Sequence, residues 1–341
     1  MTKTYDTIIY IGRFQPLHNA HVKIIKHAAE LANRVIVIVG SSFQPRTQKN
    51  PFSSEERMEI VANLEDEIDA ELIIERTYDT VYDDNSWAVR IQDIAKKHNC
   101  LNVSTAIIGH NKDETTYYLS MFPQWKLIEV PLQEQLNATS IRKLFFSNDL
   151  NLNFIKSVVP TYVYEFLDQF KNTKEYQDIL NEVNFINNYK SQYLGLQYKP
   201  YFITTDCCVV QSGHILLVRR KALPGKDLMA LPGGFLGQNE TLLDSAIREL
   251  KEETNIKVPI PALKGNIINQ RVFDHPTRSF RGRTVTHVYH IQLPDGQLPK
   301  VKGGDDASDA KWVPFCQINP EHMFEDHWEI INFFVRTSDN F

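Results

Sequence analysis

Along residues 1–145, short apolar runs alternate with amphipathic stretches. The runs are 7–12, 35–41, 71–76, 105–109 and 126–132. Between them, residues 20–32, 53–64 and 86–98 repeat their apolar positions with the helical period. Ser53 followed by Glu56 has the spacing of a capping box, which marks the start of the second helix. Strand-like runs separated by helices predict a parallel sheet wound on both faces, whose ligands bind beyond the carboxyl ends of the strands. Residues 146–200 lose the strand signal. They are rich in Asn, Tyr, Phe and Lys, their periodicity is helical, and Pro160 is placed to open a helix. Strand patterns return at 202–210, 214–220, 269–273 and 284–293, interrupted by one acidic helix and followed by a helix over 326–335. The expected architecture is α/β: a doubly wound parallel-sheet domain over 1–145, a helical connector over 146–200, and an α+β domain with a mixed sheet over 201–341.

Composition narrows the partners. A chain of 341 residues suits two domains. The net charge of -5 gives no basic footprint for nucleic acid. No apolar run approaches the roughly 20 residues of a membrane span, and the first residues lack a signal-peptide pattern. Cys100, Cys207, Cys208 and Cys316 have neither metal nor redox spacing, and Cys207 and Cys208 fall in a strand, where buried thiols are expected. These features predict a cytoplasmic protein that acts on small molecules, without a nucleic-acid or membrane partner. The tyrosine-rich connector offers a surface for a homo-oligomer contact.

The acidic helix carries the densest chemistry. Gly234 is followed by five residues and Glu240; seven more lead to Arg248-Glu249-Leu250, then Glu252-Glu253 and Asn255-Ile256. Glu249, Glu252 and Glu253 have the i, i+3, i+4 spacing that makes them neighbours on a helix. Leu243, Ala246, Ile247 and Leu250 form a separate apolar stripe that seats the helix on a core. Packed carboxylates repel unless a cation sits among them, and hard oxygen ligands suit Mg²⁺ or Mn²⁺. This pattern resembles the Nudix box of enzymes that cleave a nucleoside diphosphate linked to another group. The resemblance implies metal held by Glu249, Glu252 and Glu253 with the Gly234 carbonyl, and Arg248 orienting a glutamate. Asn255 stands where that family has Gly. The position follows the helix end, where a left-handed backbone is common and Asn ranks next to Gly. Glu321 and Glu325 are candidates to take a proton. Arg219 and Arg220, at a strand end, are placed either to meet phosphate or to face solvent. His287 and His290 fall in one strand on opposite faces, which argues against a joint metal site.

The first strand runs into Gly12-Arg13-Phe14-Gln15-Pro16-Leu17-His18-Asn19-Ala20-His21. His18 and His21 face one point at a helix N-terminus, where free amides favour phosphate. With Arg13 they form an anion site without a nucleophile; zinc is the rival, with no evident third ligand. The stretch resembles the nucleotidyltransferase signature, whose His-x-x-His pair handles ATP phosphates, with Ala20 in place of the usual Gly. Asn137-Ala138-Thr139-Ser140-Ile141-Arg142 resembles the Ser-Thr-Ser-x-x-Arg element of the same superfamily. By that resemblance, Gly12, Arg13, Phe14, Thr139, Ser140 and Arg142 serve ATP in a Rossmann-like domain. Asn85 and Trp87, one able to read a carboxamide and the other to stack on a pyridinium, resemble the nicotinamide contacts of archaeal-type nicotinamide mononucleotide (NMN) adenylyltransferases. The segments Asn50-Pro51-Phe52-Ser53 and Gly109-His110-Asn111-Lys112-Asp113 look like the same branch. Lys112 is placed either to reach a phosphate or to face solvent, and Asp113 joins the substrate-binding set.

The order of the two motif sets resembles bifunctional NMN adenylyltransferase/Nudix hydrolases over essentially the whole chain. That resemblance implies ATP and NMN as substrates, NAD as product, Mg²⁺ or Mn²⁺ as cofactor, and ADP-ribose cleaved to AMP and ribose 5-phosphate. Leu231-Pro232-Gly233-Gly234-Phe235 and Ala310-Lys311-Trp312-Val313-Pro314 are generic Nudix features that do not select a substrate. Two alternatives stay open: another phosphate acceptor with another Nudix specificity, and a non-catalytic Nudix domain that senses ADP-ribose.

Overall fold

The computed structural model describes residues 3–110, 114–131, 137–147, 152–304 and 306–337. The chain divides into two compact units, Met1–Asn181 and Glu182–Phe341.

The first unit follows the expected alternation: β1 (Tyr5–Gly12), α1 (Asn19–Leu31), β2 (Ala32–Val39), α2 (Ser54–Ala62), β3 (Glu71–Arg76), α3 (Asp84–Lys97), β4 (Thr105–Gly109) and β5 (Lys126–Glu129). The strands form a five-stranded sheet in the order β3-β2-β1-β4-β5, and every pairing is parallel. The chain order reverses beside β1, so the crevice for a ligand opens at the carboxyl ends of β1 and β4. Central strands buried on both faces read as continuous apolar runs; Ile8, Ile9, Ile36, Ile38 and Ile107 are fully buried. The Ser53 capping box forms in both directions, at 3.2 and 2.8 Å. Three helices follow: α4 (Ala138–Phe145), α5 (Leu152–Lys156) and α6 (Thr161–Phe170), the last with Pro160 as its N-cap. The helix α7 (Lys174–Ser191) spans the division between the units.

The second unit contains β6 (Tyr201–Gln211), β7 (His214–Arg220), β8 (Met229–Ala230), β9 (Gly233–Phe235), α8 (Leu242–Thr254), α9 (Ile260–Gly265), β10 (Ile267–Phe273), β11 (Arg283–Gln292), β12 (Ala307–Pro314) and α10 (His327–Thr337). The sheet runs β10-β11-β6-β7-β12, with β8 on β7 and β9 on β6. It is mixed: β6 pairs in parallel with β11 and antiparallel with β7 and β9. The last helix, expected over 326–335, begins one residue later and runs two residues further. The apolar stripe of α8 seats Ala246, Ile247 and Leu250 against Cys207, Val209, Leu216 and Tyr289. Its C-cap is Asn255 in the left-handed region, φ 46°, with the side chain donating to the Lys302 carbonyl at 3.1 Å. Glycine's role at this helix end is thus filled by the next-best residue.

Arg278 and Asp326 form a buried two-bond ion pair in this unit, both bonds 2.9 Å. Removing one partner strands the other's charge. Asp326→Ala is therefore expected to destabilise the second unit by about 3–5 kcal/mol, measured by urea unfolding. Cys100, Cys207 and Cys208 are buried and Cys316 is exposed, all free thiols. Among the described residues, no helix is long and apolar enough to cross a membrane.

Candidate active sites

In the first unit, the loop after β1 folds back over the strand end. Phe14 takes the left-handed backbone, φ 50°, and its ring fills the space beside Gly12, where a Cβ would meet the ring at 2.7 Å. The Gln15 side chain bonds both the N–H and the carbonyl of Phe52, at 3.0 and 2.8 Å. This clamp holds the loop against the segment around Phe52. Arg57, on α2 and 1% exposed, donates to the carbonyls of Arg13, Gly40, Ser41 and Ser53. Burial lowers its pKa to about 10, so it remains a cation at neutral pH. It fixes the two strand-end loops together, and sequence reading missed it because an arginine in a helix reads as solvated.

His18 and His21 stack with ring centroids 3.7 Å apart at the start of α1. The His18 backbone N–H donates to His21 Nδ1 at 3.3 Å. Burial, with His18, His110 and Arg13 adding, pushes the His21 pKa well below its ordinary value. A neutral ring that accepts at Nδ1 carries its proton on Nε2, so His21 offers one uncharged donor. Arg142, 6% exposed, donates to the Gln15 carbonyl at 2.7 Å and the Thr139 hydroxyl at 3.1 Å. Burial, with Arg13 adding, brings its pKa to about 10. Asn137 caps α4 by accepting from the Ser140 N–H at 3.1 Å. The structure thus brings Gly12, Arg13, Phe14, His18, His21, Thr139, Ser140 and Arg142 to one end of the sheet.

Asn85 is exposed in the first turn of α3. Trp87 is half-buried, its ring meeting Tyr118 edge-on at 5.6 Å and Phe122 at 5.9 Å. Burial and the Asp79 carboxylate push the Tyr118 hydroxyl up to about 12, so Trp87 is linked through Tyr118 to the loop beyond β3. Asp79 also accepts from the Ser41 hydroxyl. Lys112 and Asp113 lie outside the described residues.

In the second unit, β9 packs against both β6 and α8. A Cβ on Gly234 would lie 2.5 Å from the Glu249 carboxylate, and one on Gly233 would lie 2.2 Å from the Thr205 carbonyl oxygen. The Gly233 N–H donates to Glu253 Oε2 at 2.9 Å. Arg248 spans Glu240 at 2.7 and 2.9 Å, and Glu249 and Glu252 each at 2.9 Å. Its contact, with the Gly237 N–H adding, holds the Glu240 carboxyl down at about 2. Glu240 is thus the counter-charge that holds Arg248 in place, a role its position in the motif does not reveal. Glu249 and Glu253 line a cavity of about 380 Å³ together with Gly233, Gly234, Asp206, Arg220, Arg278, Arg281 and Glu325. Neither Glu321 nor Arg219 lines it; Arg219 bonds the Asp227 carbonyl at 2.8 Å. Glu325 has a left-handed backbone, φ 44°, and a buried Oε1 without a hydrogen-bond partner among the described residues.

Burial pushes the Glu253 carboxyl up to about 8, against the Gly233 N–H, and the Glu249 and Asp206 carboxylates push the same way. Crowded carboxylates of this kind fit a divalent cation, which would relieve the repulsion. Among the described residues no three acidic, His or Cys side chains already converge as a complete cage; Glu249 and Glu252 are both engaged by Arg248. The raised pKa sets a sign. Without metal, the folded chain holds a proton on Glu253 that the unfolded chain releases near 4.5. Stability should therefore fall as pH rises from about 5 to about 8. Over the same window the apparent affinity for Mn²⁺ should rise, because the proton must leave. Thermal unfolding and Mn²⁺ titration across pH check both, and Glu253→Gln should flatten both profiles.

Residues 9–215 match the cytidylyltransferase-like family and residues 200–334 the NUDIX domain. The chain is similar to a bifunctional NMN adenylyltransferase/ADP ribose pyrophosphatase from Francisella tularensis. Identity is 38%, the TM-score is 0.88, and the match covers 97% of this chain and 99% of that one. This chain belongs to the bifunctional NMN adenylyltransferase/ADP-ribose pyrophosphatase family. A second structure of the Francisella protein, complexed with AMP and a Mn ion, matches with a TM-score of 0.86 at 37% identity over 98% of this chain and 99% of that one. A nicotinamide/nicotinic acid mononucleotide adenylyltransferase from Acinetobacter baylyi is 33% identical over 177 residues, 51% of this chain and 92% of that enzyme. The two halves of this family member are those read from its two motif sets.

Proposed function

We propose that the chain catalyses two reactions of NAD metabolism. One transfers an adenylyl group from ATP to NMN, giving NAD and pyrophosphate. The other hydrolyses ADP-ribose to AMP and ribose 5-phosphate with a divalent metal. The observation that carries this reading is the likeness to one bifunctional enzyme over 97% of the chain.

In the first reaction, a 5′-phosphate oxygen of NMN attacks the α-phosphorus of ATP, and the bond to pyrophosphate breaks. Such a transfer needs positioning and charge neutralisation more than covalent help. His18, the Nε2–H of His21, Arg13 and Arg142 donate to the phosphates. Thr139 and Ser140 add hydroxyls at the start of α4, and Gly12 and Phe14 let the backbone approach. Asn85 and Trp87 meet the nicotinamide, with Lys112 and Asp113 in the same substrate-binding set. ATP brings Mg²⁺.

In the second reaction, Glu249, Glu252, Glu253 and the Gly234 carbonyl would hold Mg²⁺, or Mn²⁺ in its place. The metal neutralises the diphosphate and makes water more acidic. Arg248 keeps the carboxylates oriented, and Arg220 and Arg281 face the phosphates. Glu325 is the carboxylate outside α8 that is placed to accept the proton of the attacking water.

The acceptor is tested by offering ATP with NMN, nicotinic acid mononucleotide or phosphopantetheine and following pyrophosphate release. Release with the pyridine nucleotides supports the reading; release with phosphopantetheine alone overturns it.

A further inference from the structure

The hydrolase cavity has a wall that the acidic helix and its sheet do not supply. From Glu182 onward, α7 belongs to the second unit. Glu182, Phe185 and Tyr189 are spaced three and four residues apart, so they share one helix face. Glu182 accepts from the Gly225 N–H at 2.9 Å, which ties this face to the loop after β7. Phe185 and Tyr189 then line the same cavity as Glu249, Glu253 and Arg281. They are not the core side of the helix: Val183 and Ile186 are 3% and 4% exposed, whereas Phe185 is 36% exposed. The Tyr189 ring meets Phe202 at 5.8 Å, and Phe202 meets Phe235 at 6.1 Å. The Arg281 guanidinium lies 5.1 Å from the Phe235 ring centre, and its buried Nε has no hydrogen-bond partner among the described residues.

A cavity that joins aromatic faces, a guanidinium with an unpaired Nε and the α8 carboxylates suits a ligand with a flat base at one end and a diphosphate at the other. We propose that Phe185 and Tyr189 of the connector helix form the base-stacking wall of the hydrolase site, so that α7 selects for diphosphates bearing a nucleobase. The proposal rests on the reading of this site as an ADP-ribose hydrolase. It makes the connector a binding element and not a tether.

The test is steady-state hydrolysis of ADP-ribose by full-length wild type, Phe185→Ala, Tyr189→Ala and Tyr189→Phe, with AMP and ribose 5-phosphate as inhibitors. Loss of a stacking face should raise KM roughly tenfold or more in each alanine variant, with kcat within about threefold. Tyr189→Phe keeps the ring and should restore KM. AMP inhibition should weaken in parallel with KM, while inhibition by ribose 5-phosphate, which has no base, should not move. A general structural role would instead lower kcat and weaken both inhibitors together, and that result overturns the proposal. Unchanged constants in both alanine variants, with normal wild-type cleavage, also overturn it and leave the hydrolase reading intact. A wild-type chain that does not cleave ADP-ribose overturns the reading and the proposal with it.

Discussion

Glu252→Gln should cut ADP-ribose hydrolysis by about 100-fold or more, roughly 2.7 kcal/mol of transition-state stabilisation, and leave adenylyl transfer unchanged. Glu252 is the most exposed of the three α8 carboxylates and its partner is Arg248 at 2.9 Å. Removing its charge weakens the hold on the metal and leaves Arg248 to Glu240 and Glu249 alone. The lost ion pair is partly exposed, so its removal should change stability by about 1 kcal/mol or less. A large loss of hydrolysis with an unmoved unfolding midpoint separates a functional carboxylate from a structural one. Parallel assays of both reactions and a thermal melt read this directly.

His18→Ala should do the converse. Adenylyl transfer should fall by roughly 100- to 1,000-fold, the range for removing one preorganised donor to developing charge, with hydrolysis retained. The expectation rests on local geometry. The His18 ring stacks on His21, but the bond that sets the His21 tautomer comes from the His18 backbone N–H, which alanine keeps. The variant therefore loses one imidazole and its stack on His21, and keeps the backbone hydrogen bond to His21 Nδ1. Loss of both reactions in a folded His18→Ala or Glu252→Gln protein would contradict two independent sites.

Both candidate sites are most legible where their residues are neighbours along one helix. The spacing of Glu249, Glu252 and Glu253, the separate apolar stripe of α8 and the turn at Asn255 follow from helical geometry. The same holds for His18 and His21 at the start of α1. What stayed hidden depends on residues far apart in sequence. Arg57 acts by reaching the carbonyls of Arg13 and Gly40, 44 and 17 residues away. Gly233 is needed because the Thr205 and Asp206 backbone closes on it, which no local pattern encodes. The short strands β8 and β9 carry too few residues to show a period of two. Phe185 and Tyr189 read as ordinary members of an amphipathic connector, and only the folded cavity reveals where that face points. The Trp87 ring, able to stack on a pyridinium, also packs on Tyr118 and Phe122, contacts that only the fold creates.

The central claim is that one chain makes NAD and cleaves ADP-ribose. The most direct measurement is chromatography of the products formed by purified wild-type chain with Mg²⁺, from NMN plus ATP in one reaction and from ADP-ribose in another. The expected products are NAD and pyrophosphate from the first, and AMP with ribose 5-phosphate from the second. Absence of NAD, or intact ADP-ribose, would contradict that claim.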